Sequence, residues 1–238
     1  MQKHHIRTLF DSIAPRYDLL NHILSAGIDI SWRRKAVEQM REVHPRRILD
    51  VATGTADVAL ACVRLNPETV IGVDIAERML DIGRRKVARR GLDSVISLRA
   101  GDAEHLDFMA GFFDAAIVAF GARNFENLDR GLAEMYRVLR DGGKIVVLEF
   151  SRPTAFPFRQ IYLLYFLKIL PFIGALVSRD EEAYRYLPES VMKFPDGSDF
   201  LQVLERAGFS EGRVERLTFG IASIYSASKS RTPGQPLR

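Results

Sequence analysis

The sequence predicts an α/β fold: a doubly wound, mostly parallel seven-stranded sheet with helices on both faces and an antiparallel C-terminal hairpin. Short apolar runs alternate with amphipathic stretches through residue 150, which is typical of βαβ units. Two further short strands, at 213–218 and 223–228, have the spacing of a hairpin. With 238 residues and 47% apolar side chains, the chain is long enough for one such domain with a full core.

Helices separate the five predicted strands of the parallel part. The strands are expected at 47–52, 70–75, 95–100, 115–120 and 144–150. The helices between them, where apolar residues recur with helical spacing, are expected at 55–65, 77–90 and 128–140. The turn Asp141-Gly142-Gly143 is expected to end the last of these helices, because glycine commonly follows a helix.

We interpret residues 1–230 as a single domain, followed by a disordered tail at 231–238. An apolar, lid-like insertion is predicted at 153–197, and a short amphipathic helix at 199–207. The sequence does not indicate a second independent domain or an internal repeat.

The N-terminal arm, residues 1–45, is expected to be helical and broken by Pro15 and Gly27, with one helix at 31–43. The whole net charge of +4 lies in residues 1–49, which hold nine Lys and Arg against five Asp and Glu. Because the remaining residues are neutral overall, the sequence argues against a nucleic acid as partner.

Cysteine and histidine usage argues against a metal site. The lone Cys62 excludes an internal disulfide framework and a cysteine-based metal centre, and it favours a reducing compartment. His4 and His5 are interpreted as solvated residues of the terminus. Since the N-terminus also lacks the apolar run of a signal peptide, we expect a cytoplasmic protein.

A candidate ligand site begins where the first predicted strand ends. Asp50 closes this strand, and Gly54 and Thr55 lie in the turn that leads into the next helix. Such a turn presents backbone N–H groups and a helix N-terminus to a ligand. A plain β–α turn has the same pattern, so this segment alone does not distinguish a ligand site from an ordinary connection.

The next two strands add acidic residues at the same edge of the sheet. Asp74 ends the second strand, where its carboxylate can accept hydrogen bonds from both hydroxyls of an adenosine ribose. Asp102 and Ala103 follow the third strand and could read the edge of an adenine. Together the three positions predict a nucleotide cofactor at the carboxyl ends of the strands.

Two nucleotide cofactors, NAD and S-adenosylmethionine, are compatible with these positions. An NAD site needs G-x-G-x-x-G to bring the backbone against a pyrophosphate, whereas this turn holds the single Gly54. S-adenosylmethionine has no pyrophosphate and needs a less close approach. The turn therefore favours S-adenosylmethionine over NAD.

Four ordered motifs carry a family resemblance: FDSIAPRYD at 10–18, FGARNF at 120–125, LEFSRP at 148–153, and YRYLPES at 184–190 with Phe-Pro at 194–195. On these motifs, residues 6–229 resemble the ubiquinone/menaquinone biosynthesis C-methyltransferases. These are class I S-adenosylmethionine-dependent methyltransferases with a Rossmann-like fold. The resemblance implies methylation of a ring carbon of a prenylated demethylquinol. Demethylmenaquinol is the expected substrate, in menaquinone or ubiquinone biosynthesis.

The resemblance also implies roles for individual residues. By position, it assigns Thr55, Asp74, Asp102 and Ala103 to contacts with the cofactor. We expect Asp50, Gly54 and Met79 to complete the cofactor site. The chain departs from the family at Ala56, where the turn usually has glycine. If this position requires a positive φ, alanine there costs on the order of 1 kcal/mol.

Three residues are candidates for the chemistry on a quinol. Arg123 and Asn124 follow the fourth strand, where they could orient a quinol oxygen and stabilise its negative charge. Bracing of a loop is the alternative role for this pair. Tyr17, in the arm, could cover the pocket and bind substrate or cofactor, or else simply pack.

The apolar stretch at 158–177 has three readings that the sequence leaves open. It could pack in the core or in a homodimer, line a tunnel for a prenyl tail, or lie on a membrane surface. Lys168 and Pro171 interrupt it, and it is too short for a confident membrane span. The basic arm suggests a second peripheral contact, with anionic lipid at the inner face of the membrane.

Three other functions compete with quinol methylation. The closest is methylation of another small phenol within the same superfamily. Methylation of RNA would need a basic patch with exposed aromatics, for which residues 84–90 are the best candidate. A non-catalytic S-adenosylmethionine-binding or assembly protein is the third, and the presence of Asp74, Asp102 and the Arg123–Asn124 pair argues against it.

Overall fold

The computed structural model describes residues 3–25, 27–164 and 181–230. The strands within these ranges are β1 Arg47–Val51, β2 Thr69–Asp74, β3 Ile96–Ala100, β4 Phe113–Ala119, β5 Leu139–Phe150, β6 Phe209–Leu217 and β7 Ala222–Lys229. The helices are α1 Lys3–Leu24, α2 Ile28–Glu38, α3 Asp57–Cys62, α4 Glu77–Arg89, α5 Leu128–Val138, α6 Phe158–Leu164, α7 Glu181–Lys193 and α8 Ser198–Arg206. The predicted tail at 231–238, and residues 165–180 of the predicted insertion, lie outside the described residues.

The strands form one seven-stranded sheet in the order β3-β2-β1-β4-β5-β7-β6. Strands β1 to β5 pair parallel with one another, whereas β7 pairs antiparallel with both β5 and β6. This confirms the predicted doubly wound sheet with its C-terminal hairpin. The strand order reverses between β1 and β4, and this is where open α/β sheets bind ligands.

Helices cover both faces of the sheet because the central strands are apolar on both sides. Ile48 of β1 packs with Trp32 of α2 and Ala59 of α3 on one face. Its neighbour Leu49 points to the other face and packs with Leu132 of α5. Phe200 and Leu204 place α8 on that second face as well.

Strand β5 begins earlier than the sequence predicts, and the preceding helix ends earlier. The helix stops at Val138, and Leu139 is already extended and pairs with Phe113 of β4. The predicted role of the Asp141-Gly142-Gly143 turn as a helix end is therefore wrong. Gly142, at φ 71°, instead lies within β5, beside an irregularity in its pairing with β4. Burial of Leu139 in the core outweighs the local preference for a longer helix.

Helix α1 continues through Pro15, so the predicted break at this residue is wrong. Pro15 removes one backbone donor, but the neighbouring Ala14 is buried against Met79 of α4. This tertiary contact holds the arm on the body of the domain. The break predicted at Gly27 is present, because Gly27 adopts φ 77° immediately before α2.

The parallel strands bring their carboxyl ends to one edge of the sheet, called here the carboxyl edge. The turns after β1, β2, β3 and β4 all lie there. The turn between β6 and β7 joins them, because Ala222 pairs with Phe150 at the end of β5. The arm packs over the same edge through α1 and α4. No described helix is both long enough and apolar enough to cross a membrane.

At the opposite edge of the sheet, Asp114 stabilises the start of β1. Its Oδ2 accepts hydrogen bonds from the backbone N–H groups of Arg46 and Arg47, at 2.9 and 2.7 Å. Its Oδ1 accepts from Nε of Arg140 at 2.6 Å, and the residue is buried. We expect Asp114→Ala to lower the free energy of unfolding by about 1–3 kcal/mol, because three partly buried donors lose their acceptor. Urea denaturation measures this loss.

The matched control is Asp81→Ala, which removes a carboxylate paired with Arg84 on the surface of α4. An exposed ion pair contributes little, so this variant should change the unfolding free energy by less than about 1 kcal/mol. Equal effects of the two substitutions would contradict the structural role of Asp114.

Candidate active site

An open pocket lies at the carboxyl edge, beneath α1. Its lining combines residues of the four turns with four residues of the arm, Lys3, Ile6, Phe10 and Tyr17. Of the residues assigned from the sequence, the pocket wall includes Tyr17, Gly54, Asp74, Met79, Asp102, Ala103 and Asn124. Asp50, Thr55 and Arg123 are not among the lining residues and lie behind this wall.

Asp74 ties two turns of the pocket together. Its Oδ2 accepts from the N–H of Gly54 and its Oδ1 from the N–H of Ala76, both at 2.8 Å. Desolvation raises the pKa of Asp74 to about 6, against the opposing effect of these backbone donors. Because a carboxylate can accept several hydrogen bonds, Asp74 can still accept one from a ribose hydroxyl.

In the turn after β1, Ala56 meets the condition stated for it from the sequence, a positive φ. Ala56 adopts φ 68° as the residue that precedes α3, so alanine occupies a left-handed position suited to glycine. Gly54 is also left-handed, at φ 55°, and a Cβ built on it would meet no atom within 4 Å. This open space lets a ligand approach the backbone of the turn closely.

Asp50 supports the turn from below. The side chain is 1% exposed, and its Oδ2 accepts a 2.6 Å hydrogen bond from the hydroxyl of Thr53. Its Oδ1 has no hydrogen-bond partner among the described residues. Burial therefore raises the pKa of Asp50 to about 7, with the Thr53 hydroxyl opposing the shift. Asp50 supports the loop through Thr53 and does not line the pocket, although the sequence analysis placed it in the cofactor site.

Thr55 connects the cofactor turn to the arm. Its hydroxyl donates to Oδ1 of Asp18 at 2.6 Å and accepts from Nζ of Lys86 at 3.0 Å. Lys86 also forms ion pairs with Asp18, at 2.6 Å, and with Asp57, at 2.7 Å. Asp18, the residue after Tyr17, therefore fastens the arm to this turn.

Asp102 is paired with the first turn of the arm. Lys3 reaches across the pocket to Asp102 at 2.7 Å and to Glu104 at 3.0 Å, and these carboxylates raise its pKa. Glu104 is buried and lines the pocket, although the sequence reasoning did not select it. Its position two residues after Asp102, at the end of a strand, is the feature of the sequence that could have identified Glu104 as a pocket residue.

Arg123 is buried in an ion pair instead of facing the pocket. Its guanidinium is 6% exposed and binds Glu149, which is fully buried at the carboxyl end of β5, at 3.0 Å. The same guanidinium donates to the carbonyl oxygen of Phe120, and the backbone N–H of Arg123 donates to Glu149 at 3.2 Å. This geometry is the loop-bracing alternative, and it does not bring Arg123 to a quinol oxygen. Glu149 was part of a quoted motif, but the sequence reasoning gave it no role.

Asn124 and Tyr17 do reach the pocket. The Oδ1 of Asn124 accepts a 2.8 Å hydrogen bond from the hydroxyl of Tyr186, a residue of α7. Tyr17 packs edge-on against Phe10, with ring centroids 6.0 Å apart, so the arm presents aromatic rings to the pocket. The sequence reasoning did not identify Tyr186 as part of the site, because 62 residues separate it from Asn124.

The residues present fit S-adenosylmethionine. Among the described residues that line the pocket, Asp74, Asp102, Glu104 and Glu126 are acidic and Lys3 is the one base, which suits a ligand that carries a sulfonium and an ammonium group. Met79, Ile75 and Phe120 supply apolar surface for an adenine, and the open space at Gly54 admits an approach to the backbone. Among the described residues, no group of three or more His, Cys, Asp or Glu could hold a metal ion.

Comparison with protein families gives one match, to the ubiE/COQ5 methyltransferase family, over residues 1–229. The chain is 50% identical over 225 residues to a demethylmenaquinone methyltransferase of Bacteroides fragilis, covering 94% of this chain and 92% of that one. It is 49% identical to the enzyme of the same description in Thermus thermophilus, covering 91% and 98%. A ubiquinone/menaquinone biosynthesis C-methyltransferase of Geotalea daltonii is 45% identical, covering 94% and 96%.

Solved structures support the fold. A SAM-dependent methyltransferase of Thermotoga maritima superposes with a TM-score of 0.67 at 20% identity, covering 95% of this chain and all of that one. The [4+2]-cyclase SpnF superposes with a TM-score of 0.69 at 18% identity, covering 95% and 96%. Because the second protein is described as a cyclase, this likeness speaks for the architecture and not for a reaction.

The buried carboxyl of Asp50 predicts a pH dependence of stability. In the unfolded chain an aspartate titrates near pH 4, whereas in the native chain the pKa of Asp50 is about 7. Between these values the native state holds a proton that the unfolded state has released. This contribution to the free energy of unfolding therefore decreases as pH rises from about 4 to about 7.

Asp50→Asn removes this contribution while keeping the shape of the side chain. We expect the unfolding free energy of the wild type, minus that of Asp50→Asn, to fall steadily across this interval. Urea denaturation of the ligand-free chains at a series of pH values measures the difference. The control is Asp93→Asn, at an exposed position, which should give a flat difference. A flat difference for Asp50→Asn would contradict the buried, half-unpaired carboxyl.

Proposed function

The chain belongs to the ubiE/COQ5 methyltransferase family, and from this premise we propose that it methylates a ring carbon of demethylmenaquinol, a prenylated quinol, using S-adenosylmethionine. The observation that carries the proposal is 50% identity, over 94% of the chain, to a demethylmenaquinone methyltransferase. The acidic pocket at the carboxyl edge supports it, because this lining suits a cationic methyl donor that contains adenosine.

The reaction needs a nucleophilic ring carbon in a dry, oriented pocket. S-adenosylmethionine, when bound, supplies an electrophilic methyl group on a sulfonium. The quinol carbon becomes nucleophilic when an adjacent hydroxyl loses its proton, since the phenolate pushes electron density onto the ortho position. The carbon–methyl bond forms as the sulfur–methyl bond breaks, and the ring carbon then loses its own proton to restore the aromatic ring. The protein's part is to orient the quinol and to stabilise the negative oxygen.

Asn124 is the residue that we assign to the quinol oxygen, because it is the polar side chain of its turn that lines the pocket. Its amide nitrogen can donate to a phenolate. Arg123 acts through the backbone: its buried pair with Glu149 holds the turn Ala122–Asn124 in place. Tyr17 and Phe10 cover the pocket from the arm and exclude water from the reacting atoms.

Methyl transfer from radiolabelled S-adenosylmethionine tests this function. The full chain is incubated with demethylmenaquinol and, side by side, with a demethyl benzoquinol in reduced form. We expect label in the methylated naphthoquinol at a rate well above that with the benzoquinol. Transfer to neither quinol would refute the proposal, and faster transfer to the benzoquinol would overturn the choice of substrate.

Asn124→Ala is the accompanying variant. Loss of one donor to a developing oxyanion typically costs a factor of about 100 in kcat, whereas the dissociation constant for S-adenosylmethionine should stay within about twofold. Arg123→Ala is less informative because it leaves Glu149 buried and unpaired, which destabilises the fold itself. An unchanged kcat for Asn124→Ala would remove the residue from the mechanism.

The basic charge of the arm is largely neutralised within the fold, so the arm offers little free charge to a lipid surface. Five of its basic residues pair with acids: Lys3 with Asp102 and Glu104, Arg7 with Asp11, Arg33 with Asp29 and Asp57, Lys35 with Glu215, and Arg41 with Glu38. A peripheral contact with the membrane therefore needs another surface.

We propose that this surface is an aromatic patch formed by Phe156, Phe158 and Phe219. The three residues are 81%, 37% and 66% exposed, and the rings of Phe158 and Phe219 stack 4.0 Å apart. Phe219 also adopts φ 58°, an unfavourable backbone for a bulky residue. The patch belongs to the carboxyl edge, because Phe219 lies in the turn between β6 and β7.

The surroundings of the aromatic patch carry excess positive charge, which favours an anionic bilayer as the partner. Arg152 and Arg216 share a single carboxylate, Asp196, at 3.9 and 3.4 Å. Arg159 lies exposed one residue after Phe158. Basic residues near anionic lipid contribute about 1 kcal/mol each, in addition to the burial of the rings.

Flotation with vesicles tests the membrane contact. The full chain should float with phosphatidylcholine vesicles that contain phosphatidylglycerol, and the double variant Phe156→Ser/Phe219→Asn should lose at least about tenfold in binding. Asparagine is chosen at 219 because it tolerates a left-handed backbone. The control is Met109→Ser, which removes an equally exposed apolar side chain elsewhere. Equal flotation of the double variant and of Met109→Ser, or no flotation of the wild type, would refute the proposal.

A further inference from the structure

Tyr186 is the point at which α7 meets the pocket. Its hydroxyl donates a 2.8 Å hydrogen bond to Oδ1 of Asn124, while Tyr186 itself lies outside the pocket lining. We infer that Tyr186 is a positioning residue for methyl transfer: it holds the amide of Asn124 so that the Nδ2 donor, and not the Oδ1 acceptor, faces the quinol oxygen. This inference rests on the proposed function and assigns to it a residue from a distant segment.

The orientation of this amide matters because its two ends have opposite effects on a negative charge. A primary amide carries an acceptor oxygen on one side and two N–H donors on the other, and a half-turn about the last bond exchanges them. A phenolate is stabilised only by the donor end and is repelled by the carbonyl oxygen. The Tyr186 hydroxyl engages the oxygen, so the nitrogen is the end left to face the pocket.

The backbone of Asn124 is held by other contacts, so the rotation of its side-chain amide is what the hydrogen bond from Tyr186 controls. The backbone N–H of Asn124 donates to the carbonyl of Gly121 at 3.0 Å, and the turn is braced by the buried pair of Arg123 and Glu149. Nδ2 makes a long contact, 3.5 Å, with the carbonyl oxygen of Phe120. Since the amide has two N–H groups, at least one remains for a ligand.

The surroundings of Tyr186 keep its hydroxyl protonated, so that it can donate a hydrogen bond. Burial raises the pKa of this phenol, while Arg123 lowers it and Glu149 raises it. The hydroxyl therefore stays protonated across the neutral range. An ionised or absent hydroxyl would leave Oδ1 without its partner and free the amide to rotate.

Steady-state kinetics of the full chain with demethylmenaquinol tests the inference. We expect Tyr186→Phe to lower kcat by about tenfold, with the KM for S-adenosylmethionine within about twofold, because donor alignment is lost and cofactor binding is not. The double variant Tyr186→Phe/Asn124→Ala should be no slower than Asn124→Ala alone, since Tyr186 acts only through the amide. Independent, additive losses, or an unchanged kcat for Tyr186→Phe, would overturn the inference.

Tyr225→Phe is the matched control for loss of a structural hydroxyl. The Tyr225 hydroxyl donates to Asp196 and accepts from the N–H of Gly197, both at 2.9 Å, and touches no pocket residue. This variant should lose stability on urea denaturation but keep its kcat. A fall in kcat equal to that of Tyr186→Phe would show that any tyrosine hydroxyl braces the fold in the same way.

A readout without turnover separates this inference from the proposed function. In a ¹⁵N–¹H spectrum, the two side-chain N–H signals of Asn124, assigned by their loss in Asn124→Ala, should shift in Tyr186→Phe and stay in place in Tyr225→Phe. If the wild type methylates no quinol, the proposed function fails, and these signals still report whether Tyr186 holds the amide. Signals that are unmoved in Tyr186→Phe would refute the positioning role by themselves.

Discussion

The pair of hydrogen bonds that Asp74 accepts from Gly54 and Ala76 is the contact on which the pocket depends. It joins the turn after β1 to the turn after β2, and so sets the distance between the backbone that a ligand can approach and the carboxylate that can bind a ribose. The turn needs such support, because Gly54 and Ala56 both have left-handed backbones. Without a fixed acceptor, this strained loop would have several conformations of similar energy.

Three acidic residues at this edge are retained where stability alone would favour apolar side chains. Asp50 and Glu149 are almost completely buried, and the charged form of a buried carboxyl is costly unless donors surround it. Glu149 has such donors in Arg123, and Asp74 has them in the backbone. Asp50 has fewer, and burial raises its pKa to about 7, further than that of Asp74, which is raised to about 6. The edge therefore trades stability for a fixed arrangement of turns, which is common at functional sites.

The sheet and most of the pocket were predictable, because a residue at the carboxyl end of a parallel strand can be assigned to one edge from its position alone. Asp74, Asp102 and Asn124 reach the pocket for this reason. Arg123 follows the same strand as Asn124, yet its side chain turns inward to Glu149 of a different strand. Helix α1 and strand β5 departed from their predicted bounds at Pro15 and Leu139, where contacts with distant residues outweigh local preference.

The fold class, the edge that binds the cofactor and the family resemblance follow from the order of the amino acids alone, because these depend on hydrophobic period, strand ends and ordered motifs. Which of the edge residues face the pocket and which brace it became clear from the three-dimensional contacts. The same contacts also show that the charge of the arm is largely paired, and that Tyr186 meets Asn124. These outcomes depend on the direction of side chains and on contacts between residues far apart in the chain, and a local pattern carries no information about either.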